Sequence, residues 1–440
     1  MAIAHTCRHG LGGKVQFLLL LFVAMRWEQA GWGQAPELDR LVRSAQASTD
    51  RSDDVQDDLE SCRVHRVTSL PGSHGFAGDF IEAIASDPDP RANGSGVLWG
   101  LTADLSEAVS ERQQAMYISK STDGGATWSE VAHVDSRYFD AKVGEGLRNG
   151  FIAAPGGAYF VITTQKGAFQ VVPQPGGAAA QVRRIAGPTV PDTPPKIPIT
   201  KRPGEPVRAN VVEMTADGSR LIIGYGYFDR SPLIFRYRKD AEGSWIEDGE
   251  IRGIPTEMDL LSLQFDDVKK VRPGFLYVGT GDQVYLLNLR TMGWSMVDGV
   301  GPDSAIHGMS VVGGLHVAAC WGVYNPVGPG MVRRVTNAKF LLHRTSDEAG
   351  PNLRAYSIEV DPLRTEREIV TSITGVYVSE DKGATWRRLN DLPDGEYRSA
   401  HFNSNGTVLV SGMPGTFLVN PFSEECTPEL KRRGAVGGRR

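Results

Sequence analysis

Two eight-residue stretches, Ser121-Thr122-Asp123-Gly124-Gly125-Ala126-Thr127-Trp128 and Ser379-Glu380-Asp381-Lys382-Gly383-Ala384-Thr385-Trp386, share the pattern S-x-D-x-G-x-x-W. Each follows a run rich in β-branched and aromatic residues, which is typical of a β-strand. The Asp and Ser side chains can bind backbone N–H groups of a turn, and Gly125 and Gly383 permit a positive φ. The Trp then begins the return strand and buries a large ring. Each stretch predicts a fastened β-hairpin, and we call them lock 1 and lock 2.

The remainder of the chain repeats short apolar runs separated by turn residues. Glycine contributes 51 of 440 residues, above the usual share of roughly 7%. The runs are about four to seven residues long and show no helical period. Trp245 and Trp294 lie about 49 residues apart, and Trp386 follows after about 92, or two such steps. Because a four-stranded propeller blade needs about 40–50 residues, the sequence predicts an all-β propeller of seven blades, with six as the alternative.

The two locks resemble the Asp-box (BNR) repeat of sialidases, of xyloglucanase-type hydrolases and of the VPS10 domain of sortilins, all of which are propellers. A wider likeness to a complete blade of such proteins covers Ala355–Val419. The resemblance implies that the locks lie on the outer edge, away from the central pocket, and are structural. It assigns that structural role to Ser121, Asp123, Gly125 and Trp128 and to Ser379, Asp381, Gly383 and Trp386.

The chain divides into four predicted parts. Residues 1–35 have the charged, apolar and small-residue regions of a signal peptide, and its apolar run of about 11 residues is too short to span a bilayer. A flexible leader, 36–61, precedes the propeller, 62–426, and a basic disordered tail covers 427–440. We therefore expect a secreted or periplasmic protein, attached to a membrane only through an uncleaved signal. Nine prolines between 173 and 206 predict a surface loop inserted into the propeller, with an interdomain linker as the alternative.

The cysteines agree with export but indicate no metal. Cys7 leaves with the signal peptide, and Cys320 lies in an apolar run that indicates a small buried hydrophobic side chain. Cys62 and Cys426 flank the propeller and can form a disulfide in an oxidising compartment. The cysteines and histidines lack the spacing of metal ligands. Phosphate-binding and dinucleotide-binding motifs are also absent from the sequence, so we expect no cofactor.

A catalytic set does not emerge from the sequence. A sialidase-like site would need three arginines, an Asp acid and a Tyr activated by a Glu, and the Arg-containing segment that usually precedes the first Asp box is missing. The candidates are Tyr397, Glu396 and Arg148. A xyloglucanase-like site would need two opposed carboxylates, and no pair stands out among the acidic residues near strand ends. These residues are Asp79, Asp104, Asp266, Asp267 and Asp282.

The sequence thus favours an exported Asp-box propeller that binds a carbohydrate or an extracellular protein on its central face. The alternative is a glycoside hydrolase, of sialidase type ahead of endoglucanase type, and a role as an assembly factor also stays open. Whether the protein is an enzyme is not decided. A net charge of −5 argues against a general nucleic-acid binder. We expect a monomer.

Overall fold

The structure is a computed structural model. It describes residues 64–67, 70, 81–88, 96–104, 115–139, 149–174, 179–190, 204–227, 230–267, 270, 272–301, 304–320, 322–335 and 355–422. The signal peptide, the leader, the basic tail, Arg148, Asp79, Cys62 and Cys426 lie outside the described residues.

The described strands form seven four-stranded antiparallel sheets, the blades. Blade 1 contains β2 Ala83–Ser86, β3 Leu98–Asp104, β4 Ala115–Ser121 and β5 Ser129–Asp135. Blade 2 contains β6 Phe151–Ala153, β7 Phe160–Thr164, β8 Gly167–Val172 and β9 Gln181–Arg184. Blade 3 contains β10 Ala209–Met214, β11 Arg220–Tyr227, β12 Arg230–Lys239 and β13 Trp245–Ile251. Blade 4 contains β14 Leu260–Phe265, β15 Phe275–Thr280, β16 Val284–Asn288 and β17 Trp294–Met296.

The last three blades follow the same plan. Blade 5 contains β18 Ile306–Ser310, β19 His316–Ala319, β20 Gly322–Gly328 and β21 Met331–Arg334. Blade 6 contains β22 Ala355–Val360, β23 Glu368–Ser372, β24 Gly375–Ser379 and β25 Arg387–Arg388. Blade 7 contains β26 Tyr397–Phe402, β27 Val408–Gly412 and β28 Gly415–Val419, and its fourth strand is β1, His65–Arg66, from the start of the described chain.

The blades close into a ring, which confirms the predicted seven-bladed propeller. The first strand of each blade contacts the first strands of both neighbouring blades, and β2 of blade 1 meets β26 of blade 7. The strand β1 pairs with β28, placing His65 opposite Leu418. The first strands therefore surround a central axis, and the last sheet is built from both ends of the described chain.

The hydrophobic core lies between the blades. Among the described residues, seven clusters of buried side chains each join one pair of neighbouring blades. Trp99 of blade 1, for example, packs edge-on against Phe160 of blade 2 at 5.0 Å between ring centroids. The tryptophans used to predict the repeat share one position, since Trp245 and Trp294 begin the fourth strands of their blades and Trp386 directly precedes another.

The two locks connect the third and fourth strands of blades 1 and 6 and have the same hydrogen bonds. In lock 1 the Ser121 hydroxyl donates to Asp123 at 2.7 Å and accepts from the Gly125 amide at 2.8 Å. Asp123 also accepts from the Thr127 amide and hydroxyl, and the Trp128 indole donates to the Gly125 carbonyl at 2.9 Å. Lock 2 repeats these five bonds from Ser379 to Trp386. Gly125 has φ +100° and Gly383 φ +76°, which favour glycine.

A side-chain amide from the preceding blade fastens each lock. Asn403 of blade 7, just after β26, donates to the Gly124 carbonyl of lock 1 at 2.7 Å. Asn325 of blade 5 donates to the Lys382 carbonyl of lock 2 at 2.8 Å. Gly124 and Lys382 occupy the same position of the pattern. Because Asn403 follows the end of a first strand, the locks belong to the face where the first strands end, which we call the lock face. The front face is where the first strands begin.

Two sequence interpretations need correction. Gln181–Arg184 forms the fourth strand of blade 2 within the predicted proline-rich loop, because this strand falls between Pro175 and Pro188 where the chain has no proline. Cys320 is fully buried, as expected, but it is disulfide-bonded. It is the one cysteine in the described part of the chain, and the predicted Cys62–Cys426 bridge lies outside that part. Within the described ranges, no helix is long and apolar enough to cross a membrane.

Candidate functional site

A repeated β-bulge marks the front end of the first strand in five blades. In each, one extra residue interrupts the pairing between the first and second strands. Such an extra residue leaves the ladder and re-aims its side chain and carbonyl. The extra residues are Asn210, Leu261, His307, Tyr356 and Arg398. Five equivalent irregularities thus place backbone and side-chain polar groups around one end of the axis.

Asn149 of blade 2 reaches across the axis to two of these bulges. Its side-chain amide donates to the carbonyl of Leu261 at 2.6 Å and to that of His307 at 2.8 Å. These carbonyls belong to blades 4 and 5, on the far side of the ring. Asn149 therefore forms a crossbar between distant blades at the front end of the axis, and the bulges supply its acceptors.

Arg398 lies between two carboxylates. Its Nη1 is 3.2 Å from Glu82, which precedes blade 1, and its Nε donates to Glu396 at 2.7 Å. Burial alone would lower the pKa of Arg398, but Glu82 and Glu396 outweigh burial and raise it. The guanidinium is therefore firmly charged, and about a third of its side chain is exposed (33%). We call Arg398, Glu82 and Glu396 the arginine clamp.

Two rings accompany the clamp. The His307 and Tyr356 rings lie 5.6 Å apart between centroids. Arg398 and the Tyr356 hydroxyl interact electrostatically, which places these two bulge residues near each other. His307 Nε2 is also 3.4 Å from the buried Cys320 sulfur. The front end of the axis thus combines a charged clamp with aromatic surfaces.

Below the bulges the first strands enclose an axial channel of about 300 Å³. Five of its lining residues occupy one register, each three positions after a bulge residue. They are Glu213, Gln264, Ser310, Glu359 and His401. Burial raises the pKa of Glu213 and of Glu359 to about 8 and lowers that of His401 to about 4. The three pKa shifts arise because protein surrounds the side chains of Glu213, Glu359 and His401. Glu359 and His401 keep some accessible surface inside the channel.

The described candidates from the sequence do not assemble into one site, and Arg148 lies outside the described residues. Tyr397 is fully buried, and its hydroxyl donates to the Pro393 carbonyl at 3.1 Å, which does not suit a nucleophile. Burial also raises its pKa. Glu396 binds Arg398 rather than Tyr397. Asp123 and Asp381 accept hydrogen bonds within their locks. Burial is the largest single effect and raises their pKa values, but the bonds from Thr127 and Ser121, and from Thr385 and Ser379, together outweigh it and lower them.

The aspartates considered for a hydrolase are also dispersed. Asp266 and Asp267 lie near Lys270 on the lock face, at 3.6 and 3.8 Å from its ammonium. Asp282 accepts from the hydroxyls of Thr280 and Thr256. Asp104 ends β3. Sequence reasoning missed the channel residues and Glu82 of the arginine clamp, whereas the run Glu396-Tyr397-Arg398 contains the other two clamp residues. One sequence pattern indicates the channel residues: a polar residue recurs two positions after Ser262, Ser357 and Ser399.

Comparison with known proteins gives similarity of fold. No family model matches the chain, and no curated protein matches it. A GH74 enzyme from Niastella koreensis is 18% identical with a TM-score of 0.47, over 75% of this chain and 50% of that chain. PorZ, an essential surface component of the type-IX secretion system of Porphyromonas gingivalis, is 17% identical with a TM-score of 0.48, over 80% and 48%. An extracellular domain of a hybrid two-component system from B. thetaiotaomicron is 11% identical with a TM-score of 0.48, over 81% and 39%. This chain therefore spans half or less of the length of these structures.

Proposed function

We propose that this chain is an exported Asp-box β-propeller that binds a glycan on its front face, at the arginine clamp. The observation that carries the proposal is the Arg398 guanidinium, held between Glu82 and Glu396 at 3.2 and 2.7 Å. Tyr356 lies near it, and the Tyr356 ring is 5.6 Å from the His307 ring. Binding sites in proteins typically combine a few fixed polar groups with apolar or aromatic surface.

Sugars match this combination chemically. Their hydroxyls both donate and accept, so they can bond to the carboxylates and to the guanidinium of the clamp. Their C–H faces pack on aromatic rings, which bury large areas at low entropic cost. Because each charge of the clamp already has a partner, a neutral ligand need not compensate an isolated charge. A protein partner is the other class of ligand, and the test below separates the two.

Two observations support membership of the Asp-box class and export. Locks 1 and 2 share all five of their hydrogen bonds, which accounts for the residues that define the repeat. The disulfide of Cys320 suits an oxidising compartment. The predicted signal peptide would deliver the chain there.

A glycoside hydrolase is the second candidate, favoured by the raised pKa values of Glu213 and Glu359. A general acid must be protonated near neutral pH, as these groups are. A hydrolase also needs an ionised partner carboxylate. Here the pKa values of both Glu213 and Glu359 are raised, so neither supplies that ionised carboxylate. The Asn149 crossbar and a channel of about 300 Å³ also leave little room for a saccharide chain between them. Binding therefore remains the preferred function.

The test is binding of the purified mature protein to a panel of soluble glycans, with hydrolysis of fluorogenic sialosides and β-glucans measured in parallel. We expect binding without turnover, and a loss of affinity of about tenfold or more in Arg398→Gln. Arg364→Gln, an exposed arginine of the lock face, is the matched control. Equal affinity of Arg398→Gln and wild type would contradict the proposal. Turnover that disappears in Glu213→Gln or Glu359→Gln would establish the hydrolase instead.

A further inference from the structure

A second cavity lies on the lock face, between blades 3 and 4. It measures about 370 Å³, and its wall contains residues next to the lock-face ends of both blades, such as Thr215 and Gly274. Four arginines line it, with one aspartate. They are Arg220, Arg236, Arg272, Arg290 and Asp248. This formal excess of three positive charges stands out in a chain whose net charge is −5.

The acidic groups around this cavity are engaged elsewhere. Asp248 lies 3.7 Å from Arg238, which is not part of the wall. Asp217 accepts bonds from the hydroxyls of Thr215 and Ser219. Asp266 accepts from the Gly274 amide, and Lys270 is 3.6 Å from it. Among the described residues, the arginines of the wall therefore have no carboxylate partner.

The arginines themselves retain unused donors. Within the described chain, the side chains of Arg220, Arg272 and Arg290 form no hydrogen bond or ion pair, and all three residues are exposed. Arg236 donates from Nη2 to the Asp248 carbonyl at 3.2 Å, while its Nε is buried and has no acceptor. A buried charged donor without an acceptor is costly, so an acceptor supplied by a ligand would stabilise this arrangement.

We propose that this cavity binds a sulfate or phosphate group of a small molecule or saccharide. Guanidinium groups pair with oxyanions through fixed forks of N–H donors. A tetrahedral oxyanion offers three oxygens to arginines approaching from different sides, whereas a carboxylate offers two. The apolar wall provides the remaining contact surface for the group that carries the anion. Its residues include Leu221, Tyr237, Phe265 and Pro273.

The site is separate from the proposed glycan site. The arginine clamp lies at the front end of the axis, whereas the arginine cavity lies between blades on the opposite face. A failure at one site therefore leaves the other testable, and Arg398→Gln should leave anion binding unchanged.

The experiment is isothermal titration calorimetry of the purified mature protein at constant ionic strength, set with chloride. The probes are inorganic phosphate, inorganic sulfate, a monosaccharide 6-sulfate and the same monosaccharide without sulfate. We expect the sulfated sugar to bind at this cavity in addition to any binding at the arginine clamp, so it should bind more tightly than the unsulfated sugar. The double variant Arg272→Gln/Arg290→Gln should weaken binding by about tenfold or more. It changes two exposed side chains, so folding should be preserved, and Arg364→Gln on the same face is the control.

The relative affinities identify the source of the anion. Tighter binding of the sulfated sugar than of the free ions indicates a saccharide or similar scaffold, since only that probe contacts the apolar wall. Equal affinities indicate a free ion. Both results support the anion site provided that the double variant loses affinity. Equal binding to the double variant and to wild type, or no binding of any anionic probe, would overturn it.

Discussion

Arg398 and Glu82 lie 316 positions apart in the chain, yet Nη1 of Arg398 is 3.2 Å from the Glu82 carboxylate. The contact joins blade 7 to the segment that enters blade 1. Nearby, the Ile81 amide donates to the Ser411 hydroxyl at 2.7 Å across the same junction. The arginine clamp therefore belongs both to the candidate site and to the closure of the ring.

Replacing Arg398 should destabilise the fold as well as weaken ligand binding. Arg398→Gln leaves Glu82, only 12% exposed, without its cationic partner, and we expect a loss of about 1–3 kcal/mol. Arg252 provides the control, because its pair with Glu250 is at the surface with the arginine 83% exposed, and Arg252→Gln should cost about 1 kcal/mol or less. Urea unfolding at pH 7 measures both. Equal losses would show that the clamp adds nothing to closure.

The two asparagines that fasten the locks should contribute to the free energy of unfolding. Asn403→Ala removes the donor to the Gly124 carbonyl, and Asn325→Ala removes donors to the Lys382 carbonyl and to Glu368. Because these groups are buried or partly buried, we expect each variant to lose about 1–3 kcal/mol in free energy of unfolding. Asn405→Ala should lose less, since Asn405 is exposed and bonds only within its own turn. Thermal and urea unfolding would reveal the ranking, and a larger loss in the control would refute it.

The locks should weaken in acid. Asp123 and Asp381 have pKa values lowered below 3.8 by bonds that their ionised forms accept. A lowered pKa gives stability that is present above the ordinary value and is lost as the pH falls through the folded value. The variant Asp123→Asn/Asp381→Asn should therefore be less stable than wild type at pH 7, and the difference should shrink below about pH 3.8.

Glu380→Gln is the matched control for the locks, because Glu380 lies exposed in lock 2 beside Asp381. We expect its melting temperature to follow wild type from pH 7 to pH 3. A gap between wild type and the double asparagine variant that stays constant over this range would contradict the prediction.

The locks and the blade count could be predicted from the sequence because both depend on local patterns. Ser121, Asp123 and Trp128 act within one turn, and the tryptophans recur with the blade. The candidate site depends on pairing over long distances. Arg398 becomes a bulge residue only through the pairing of β26 with β27, and Glu82 lies 316 positions away. Tyr397 is a candidate in the sequence because it stands between Glu396 and Arg398. Along a strand, neighbouring side chains point to opposite faces, and the Tyr397 ring is buried in the core.

The channel glutamates should give stability a distinctive pH dependence. The folded pKa of Glu213 and Glu359 is about 8, against an ordinary value of 4.5. The unfolded chain has lost these protons above pH 4.5 while the folded chain keeps them, so stability falls as the pH rises toward 8. In Glu213→Gln/Glu359→Gln the fall should be smaller by more than about 1 kcal/mol.

The most informative range is pH 6.5 to 8.5. Burial lowers the pKa of His401 from 6.5 to about 4, so His401 makes stability increase with rising pH only up to about pH 6.5. The pKa of Glu368 is about 7, and Glu368 contributes equally in wild type and in the channel variant. Glu366→Gln, an exposed glutamate, serves as the control and should follow wild type. Identical slopes for wild type and the channel variant in urea titrations would show that the channel glutamates are ionised normally.

The pairing of His65 with Leu418 has a consequence for biosynthesis. The ribosome makes the outer strand of blade 7 before the other six blades and the remaining three strands after them, so the nascent chain cannot complete this sheet until the whole propeller has been translated. If the chain is secreted as a linear polymer, the ring then closes only on the far side of the membrane. An early truncation would deprive β1 of its partner and expose the edge of an unfinished ring to proteases and chaperones.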